Sequence, residues 1–109
     1  MTQKKKDNKE GAGVGLKDRE KFKLQKPSKY KVVMHNDDYT PMNFVSAVLT
    51  QIFHKPKPQA DAITLQVHTE GKGIAGAGYT REIADTKVSQ SVAAARKEGY
   101  PFLLEAEPE

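Results

Sequence analysis

The sequence predicts an α+β fold of two layers, in which a three-stranded antiparallel sheet packs on three helices in the order β-α-α-β-α-β. Three observations lead to this prediction. Residues 30–35 alternate apolar and polar side chains with the period of two expected of a strand with one buried face. Three later stretches repeat apolar residues at the spacing of an amphipathic helix. Segments rich in Pro or Gly separate these stretches from one another.

Length and composition limit the chain to one small domain. A chain of 109 residues holds one domain at most. Because it has no cysteine, disulfides, thiolate metal ligands and a cysteine nucleophile are excluded, and a reducing cytoplasm is the expected location. No stretch approaches the roughly 18 apolar residues of a membrane span, and the N-terminus lacks the apolar segment of a secretory signal. We therefore expect a soluble protein.

The positive charge is concentrated at the N-terminus. The formal net charge is +4, but residues 1–29 carry ten Lys or Arg against four Asp or Glu, whereas the remainder carries eight against ten. Composition predicts that residues 1–26 form a flexible basic extension and that residues 27–109 form the folded domain. The alternative function from this feature is a small domain that binds RNA or ribosomes through its basic tail.

A turn rich in hydrogen-bonding groups follows the first strand. Residues 36–40 supply an amide, two carboxylates, a phenol and a hydroxyl. Met42 and Val45, just beyond this turn, begin an apolar surface. Acceptors for a cation therefore lie next to an apolar wall, a combination that suits a small ligand with an ammonium end and an apolar end.

The first helix is predicted to run from Pro41 to about His54. Thr40 is expected to be its N-cap, because a threonine oxygen accepts a free backbone N–H and the proline that follows has none to satisfy. The two prolines in residues 55–58 then prevent the helix from continuing.

A second helix is predicted from Pro58 to Gly71, where glycine supplies the left-handed cap. His68 falls in its last turn, where a positive charge is favourable at the negative end of the helix dipole. The residues expected to face the core are Ala62, Ile63, Leu65 and Val67.

The second half of the chain is predicted to alternate strand, helix and strand. Residues 73–79 are interpreted as a glycine-rich strand with a bulge. Thr80 is expected to cap a third helix over residues 81–98, which Gly99 ends, and residues 102–104 form the closing strand. The inward stripe of the third helix is expected to comprise Ile83, Ala84, Val88, Val92 and Ala95.

Three interpretations of the polar turn remain open at this point. Asn36, Asp37 and Asp38 are residue types whose side chains hydrogen-bond nearby backbone groups, so they suit local caps. They also suit a cation or an ammonium group. A metal site would add His35 and His68, although their spacing places no two imidazoles on one helix face. Since no nucleophile or oxyanion turn accompanies the carboxylates, no catalytic residue, metal or cofactor is predicted.

Residues 71–76 match GxGxxG, the fingerprint of dinucleotide binding. That fingerprint functions where a strand precedes it and a helix follows, so that a pyrophosphate meets the helix N-terminus. Here a helix is predicted before it and a strand after it. Nucleotide binding is therefore not predicted.

Tyr39 lies in the turn rather than on an apolar face, and an exposed aromatic residue often marks a contact with a partner. Glu82 and Lys87 of the third helix, considered alone, are interpreted as solvated side chains.

Four segments together resemble a known family. They are Pro27-Ser28-x-Tyr30-Lys31-Val32, His35 to Val45, Val67-His68-x-x-Gly71-Lys72 and Thr86-Lys87-Val88. In this order and spacing they are similar to the ClpS family, adaptors that deliver N-degron substrates to the ClpA-type unfoldase of bacterial ATP-dependent proteases. The resemblance covers about residues 24–106, and the NDDYTPM motif followed by VHxxGK is a specific combination.

The resemblance implies a binding site for proteins whose first residue is Leu, Phe, Tyr or Trp. Within it, Asp38 and Thr40 would support the turn or reach the first peptide unit. The residues implied to meet the α-amine are Asn36, Asp37 and His68. Those implied to line the side-chain pocket are Met42, Val45, Thr64, Val67 and Phe102.

The resemblance also implies the partners of the chain. Positions matching Tyr39, Glu82 and Lys87 would dock on the N-terminal domain of the unfoldase, while the flexible extension engages the unfoldase during transfer. The implied protein is a monomeric, cytoplasmic adaptor, not an enzyme, that needs no cofactor and binds neither nucleic acid nor membrane.

The sequence differs from the family pattern at three places. Thr64 stands where many relatives have methionine at the pocket edge, and Phe102 replaces a commoner leucine. Residues 77–79 are one residue longer than the usual connection to the third helix, which is consistent with a bulge.

Met42 is expected to exclude a β-branched first residue by crowding its second γ-carbon.

Overall fold

The computed structural model describes residues 28–109, and the predicted extension at residues 1–26 lies outside this range. Six elements follow one another along the chain: β1 (Tyr30–His35), α1 (Met42–Gln51), α2 (Lys57–Glu70), β2 (Lys72–Tyr79), α3 (Arg81–Lys97) and β3 (Leu103–Pro108). The predicted fold class and the predicted order of elements are confirmed.

The first strand lies in the middle of the sheet. The strand order is β2-β1-β3, and both neighbours run antiparallel to β1. Val32 and Met34 of β1 are fully buried, so the predicted alternation places its apolar face on the core. His35, at the end of β1, pairs with Lys72 at the start of β2. The turn after β1 therefore begins beside the junction of α2 and β2.

The glycine-rich strand β2 contains the predicted bulge. Residues 30–33 of β1 pair with residues 74–79 of β2, so β2 holds two more residues than the partner stretch. Ala75 is fully buried, and Gly76 is buried as well. The bulged strand thus remains part of the core despite its irregular pairing.

The beginning of α1 differs from the prediction. The helix starts at Met42, and its N-cap is Pro41, which provides no side-chain hydrogen bond. Thr40 is not the cap, because its hydroxyl instead donates to Asp37 at 2.7 Å. The helix also ends earlier than predicted, at Gln51, and the chain turns through His54 with a left-handed φ of 57°.

The inward face of α2 differs from the prediction by about a quarter turn. The buried residues are Ala60, Thr64 and Val67, and Ile63 is half-buried. Ala62 and Leu65, which were predicted to face the core, are exposed. The helix begins at Lys57, one residue before Pro58. Its predicted left-handed cap is confirmed, since Gly71 has a φ of 90°.

The helix α3 has the predicted cap. The Thr80 hydroxyl accepts a hydrogen bond from the backbone N–H of Ile83 at 3.2 Å, as expected for an N-cap. Ile83 itself is 48% exposed, so its predicted place in the inward stripe is wrong. The helix ends at Lys97 before Gly99, whose φ is 81°. The inward stripe includes Ser91, which is fully buried.

The closing strand is longer than predicted. It spans Leu103–Pro108 rather than residues 102–104, and all six residues pair with β1. Glutamates alternate with Leu104 and Ala106 along it, so each glutamate lies on the face opposite these two core-facing residues. In the part of the chain that the structure describes, no helix combines the length and hydrophobicity needed to span a bilayer.

Candidate functional site

The polar turn after β1 is organised around the carboxylate of Asp37. Oδ1 of Asp37 accepts hydrogen bonds from the backbone N–H groups of Tyr39 and Thr40, both at 2.8 Å. Oδ2 accepts a third from the Thr40 hydroxyl at 2.7 Å. This is the local capping that the residue types favour. It fixes the direction of the chain between β1 and α1.

The same contacts favour the ionised form of Asp37. Partial burial of its carboxylate opposes ionisation, but the hydrogen bonds from Thr40 and Tyr39 outweigh burial and lower the pKa of Asp37. A carboxylate has about four lone-pair positions. Three are occupied, so one position on Oδ2 is left to accept a further donor.

The turn is attached to the C-terminal end of α2. The backbone N–H of Asn36 donates to the carbonyl of Gly71 at 2.9 Å, and Gly71 in turn donates its N–H to Val67 at 3.0 Å. His68 lies three residues before Gly71 in the last turn of α2. The structure therefore brings the end of α2, with His68, to the same edge of the sheet as Asn36 and Asp37.

The remaining polar candidates of this edge face solvent. Asn36, Asp38 and His68 are exposed, and within residues 28–109 their side chains make no hydrogen bond to another residue. The edge thus presents an amide, an imidazole and a carboxylate position to the outside. The C-terminal end of α2 adds partial negative charge, which favours a cation there.

The residues predicted for the hydrophobic pocket lie beside this edge. Met42, in the first turn of α1, is 42% exposed. The other four form part of the buried interior, with exposures of 6% or less: Val45, Thr64, Val67 and Phe102. Val45, Val67 and Phe102 belong to one core cluster. Met42 is therefore the accessible member, and the other four are packed in the interior.

Two contacts fix the pocket candidates at the positions where the sequence differs from the family pattern. The hydroxyl of Thr64 donates to the carbonyl of Ala60 at 2.7 Å within α2, which satisfies this buried polar group locally. The ring of Phe102 lies edge-on to Phe44 of α1, with centroids 6.2 Å apart. Phe44 also meets Tyr100 at 5.0 Å. Phe102 is thus held by aromatic packing.

The side chains predicted for docking lie on two surfaces. Tyr39 is 76% exposed in the turn. Glu82 and Lys87 line a groove of about 470 Å³ between the end of α1 and α3. The other residues that line this groove are Gln51, Ile52, His54, Ile83, Thr86 and Gln90. Sequence reasoning missed the groove because it assigned Ile83 to the core.

Lys87 is not a solvated side chain, so that interpretation is wrong. Its ammonium group donates to the carbonyl of Ile52 at 2.7 Å, at the C-terminal end of α1. The same group lies 5.7 Å from the ring centroid of Phe53 and 5.6 Å from that of Tyr79. Both distances are within the range of a cation–π contact. Lys87 therefore ties α3 to the end of α1.

The metal and nucleotide patterns find no matching geometry in the described chain. Across residues 28–109, no group of three His, Asp or Glu side chains is close enough to hold a metal ion. The ring of His35 instead contacts Glu105 of β3 at 3.2 Å. Residues 71–76 follow the helix α2 and enter the strand β2, the reverse of the arrangement that cradles a pyrophosphate.

Known proteins are similar to this chain in sequence and in fold. The family model described as ATP-dependent Clp protease adaptor protein ClpS matches residues 25–105. The ClpS adapter protein of Deinococcus radiodurans is 48% identical over 90 residues, covering 83% of this chain and 79% of that protein. The one from Oleidesulfovibrio alaskensis is 45% identical over 102 residues, covering 94% and 93%.

A solved structure supports the same comparison. The structure of Agrobacterium tumefaciens ClpS2 bound to L-phenylalaninamide aligns with a TM-score of 0.73 and 32% sequence identity. The alignment covers 77% of this chain and 100% of that one.

Proposed function

This chain belongs to the ClpS family of ATP-dependent Clp protease adaptors, and we propose that it recognises proteins by a free N-terminal Leu, Phe, Tyr or Trp. Membership of this family makes the chain an adaptor rather than an enzyme. As an adaptor, it works with a Clp unfoldase and with substrate proteins. In this proposal it binds the α-amine and first side chain of a substrate and delivers that substrate to the unfoldase.

The observation that carries the proposal is the fixed carboxylate of Asp37 in the turn after β1, which a hydrogen bond from Asn36 to Gly71 attaches to the end of α2. Three hydrogen bonds fix the carboxylate of Asp37 in place, lower its pKa and leave one acceptor position. An α-amine has a pKa of about 7.7 to 8.0, so it is mostly cationic at neutral pH and suits a carboxylate and an amide oxygen as acceptors. Asn36, Asp37 and His68 are proposed to bind it.

The side chain of the first residue is proposed to enter between α1 and α2. Met42 offers exposed apolar surface in the first turn of α1, and Val45, Val67 and Phe102 are buried in one core cluster. Thr64, which stands where many relatives have methionine, is proposed to alter the preference among Leu, Phe, Tyr and Trp. The Agrobacterium structure supports this assignment, because L-phenylalaninamide combines a free α-amine with an apolar aromatic side chain. Asp38 and Thr40 are proposed to support the turn around the first peptide unit.

The expected energies are sufficient for a specific complex. Burying a Leu or Phe side chain contributes roughly 1.5 to 3 kcal/mol, and each hydrogen bond to a charged group roughly 1.5 to 3 kcal/mol. At the favourable end of these ranges, three bonds plus the pocket contribute about 12 kcal/mol, and an association cost of about 4 kcal/mol leaves about −8 kcal/mol, which corresponds to about micromolar affinity.

Docking on the N-terminal domain of a ClpA-type unfoldase is proposed for a second surface. Glu82 and Lys87 share one groove with the exposed Ile83, and such an apolar centre with a polar rim is typical of protein interfaces. Tyr39, which is not among the residues that line this groove, is proposed to contact the unfoldase from the exposed turn. The basic extension over residues 1–26 is proposed to engage the unfoldase during transfer, with the chain acting as a cytoplasmic monomer.

A reconstituted degradation assay tests the proposal as a whole. A reporter protein that begins with Leu is incubated with a ClpA-type unfoldase and its peptidase, with and without this chain. We expect the chain to accelerate degradation of the Leu reporter but not of an N-acetylated copy. We further expect Glu82→Lys to abolish the acceleration while leaving peptide binding intact. Equal degradation of both reporters with and without the chain would refute delivery.

A further inference from the structure

A hydrogen bond joins α1 to α2 close to the proposed pocket. The hydroxyl of Ser46 on α1 donates to Oδ1 of Asp61 on α2 at 2.8 Å. Ser46 is only 6% exposed. A buried hydroxyl without a partner is destabilising, so this contact holds Ser46 and Asp61 together.

Lys57 keeps the carboxylate of Asp61 directed at Ser46. Its ammonium group lies 2.6 Å from Oδ1 of Asp61, one helical turn earlier on α2, and 3.5 Å from the Ser46 hydroxyl. Hydrogen bonds from Lys57 and then Ser46 lower the pKa of Asp61. The ion pair is well exposed, with 69% of the Lys57 and 53% of the Asp61 side chain accessible, so it adds little stability by itself.

The contact lies one helical turn from the pocket on both helices. Ser46 follows Met42 by four residues on α1, and residues at this spacing share a helix face. Asp61 precedes Thr64 by three residues on α2, again on one face. A change in the separation of α1 and α2 at Ser46 and Asp61 therefore moves the two walls between which the first side chain is proposed to bind.

We propose that the Ser46–Asp61 hydrogen bond is a positioning contact that sets the width of the pocket and so determines which first residue the chain prefers. This inference rests on the proposed function, because it concerns the same pocket. With the bond intact, the helices stay close and favour the smaller Leu over Trp. Without it, α2 moves away from α1. The affinity for a first Trp then rises relative to the affinity for a first Leu, because the wider pocket accommodates the indole ring.

The test compares affinities for peptides that differ only in their first residue, Leu or Trp. Ser46→Ala and Asp61→Ala are expected to raise the affinity for the Trp peptide relative to the Leu peptide by about threefold or more. Asp61→Asn keeps an acceptor oxygen for Ser46. It is expected to retain the wild-type ratio of the affinity for the Trp peptide to the affinity for the Leu peptide. This rescue separates the hydrogen bond from the charge of Asp61.

The matched control is Asp85→Ala. Asp85 forms an exposed pair with Arg81 at 3.8 Å within α3, with the same spacing of four residues but without linking two helices. We expect it to leave the ratio unchanged. Thermal unfolding of every variant reports separately on stability, so a loss of stability that weakens both peptides equally is distinguishable from a change in preference.

Two outcomes would overturn the positioning role alone: an unchanged ratio in Ser46→Ala and Asp61→Ala with amine-dependent binding intact, or an Asp61→Asn ratio that matches Asp61→Ala. If the wild-type chain binds neither peptide, the proposed function and this inference fail together.

Discussion

The backbone N–H of Asn36 donates to the carbonyl of Gly71 at 2.9 Å, which joins the polar turn to the end of α2. The turn carries Asp37, and the last turn of α2 carries His68. This contact and the adjacent pairing of His35 with Lys72 hold the two halves of the proposed amine site together, and Gly71 makes the contact in a left-handed conformation.

Replacing Gly71 by alanine is expected to damage both stability and binding. Its φ is 90°, and a Cβ there would meet no atom within 4 Å, so the cost is backbone strain of about 1 to 2 kcal/mol. Gly99→Ala is the control, because Gly99 has a φ of 81° and similar open space. Urea unfolding should show that both variants lose stability, whereas peptide titration should show weaker binding for Gly71→Ala only. Equal peptide affinity in the two variants would contradict the role given to this contact.

Thr40→Val is expected to raise the pKa of Asp37 towards its ordinary value. The valine removes the hydroxyl that donates to Oδ2 at 2.7 Å, while the backbone donors remain. The pKa is measured by following the Asp37 carboxyl carbon in an NMR titration. Thr69→Val serves as control, since the Thr69 hydroxyl donates to Leu65 within α2. An identical Asp37 pKa in the wild type and Thr40→Val would show that this hydrogen bond does not lower the pKa.

Asp37 is expected to make the folded state sensitive to acid. Its folded pKa lies below the ordinary value of 3.8, so the folded state binds the proton less readily than the unfolded chain. The stabilisation is complete above about pH 3.8 and is lost as the pH falls through the folded value. We compare the free energies of unfolding of the wild type and Asp37→Asn, measured with urea at about pH 6 and about pH 2.5. The difference between the two proteins should be smaller at the lower pH. A difference that stays constant or grows at the lower pH would be inconsistent with this sign.

Lys87→Met is expected to lower the free energy of unfolding by about 1 to 2 kcal/mol, because it removes the hydrogen bond to Ile52 and two cation–π contacts. Lys72→Met, at an exposed position of β2, is expected to change stability by less than about 0.5 kcal/mol. Chemical denaturation of both variants checks this. If both variants lose the same stability, Lys87 does not tie α3 to the end of α1.

Local signals in the sequence were sufficient for most of the fold. The alternation of β1, the Thr80 cap and the left-handed cap at Gly71 depend only on near neighbours, and the structure confirms all three. Thr40 was assigned wrongly because two local partners compete for its hydroxyl. The carboxylate of Asp37, three residues earlier, accepts the hydrogen bond from this hydroxyl, and Pro41 takes the N-cap position of α1.

Features that depend on distant partners were not accessible from the sequence. Lys87 donates a hydrogen bond to a carbonyl 35 residues away, and Ser46 on α1 donates one to Asp61 on α2. The exposure of Ile83 likewise depends on how α3 meets α1. For the proposed site, the sequence singled out the motif after β1 and His68, while the contact that joins these two regions, from Asn36 to Gly71, required the fold.

Recognition of the free α-amine is measured by titrating the chain with a short peptide that begins with Leu or Phe and, in parallel, with its N-acetylated copy. Acetylation removes the positive charge and leaves the side chain unchanged, so it isolates the amine contact. We predict about micromolar binding of the free peptide, loss of binding on acetylation, and strongly weakened binding in Asp37→Ala. Equal affinity for the two peptides would contradict the account.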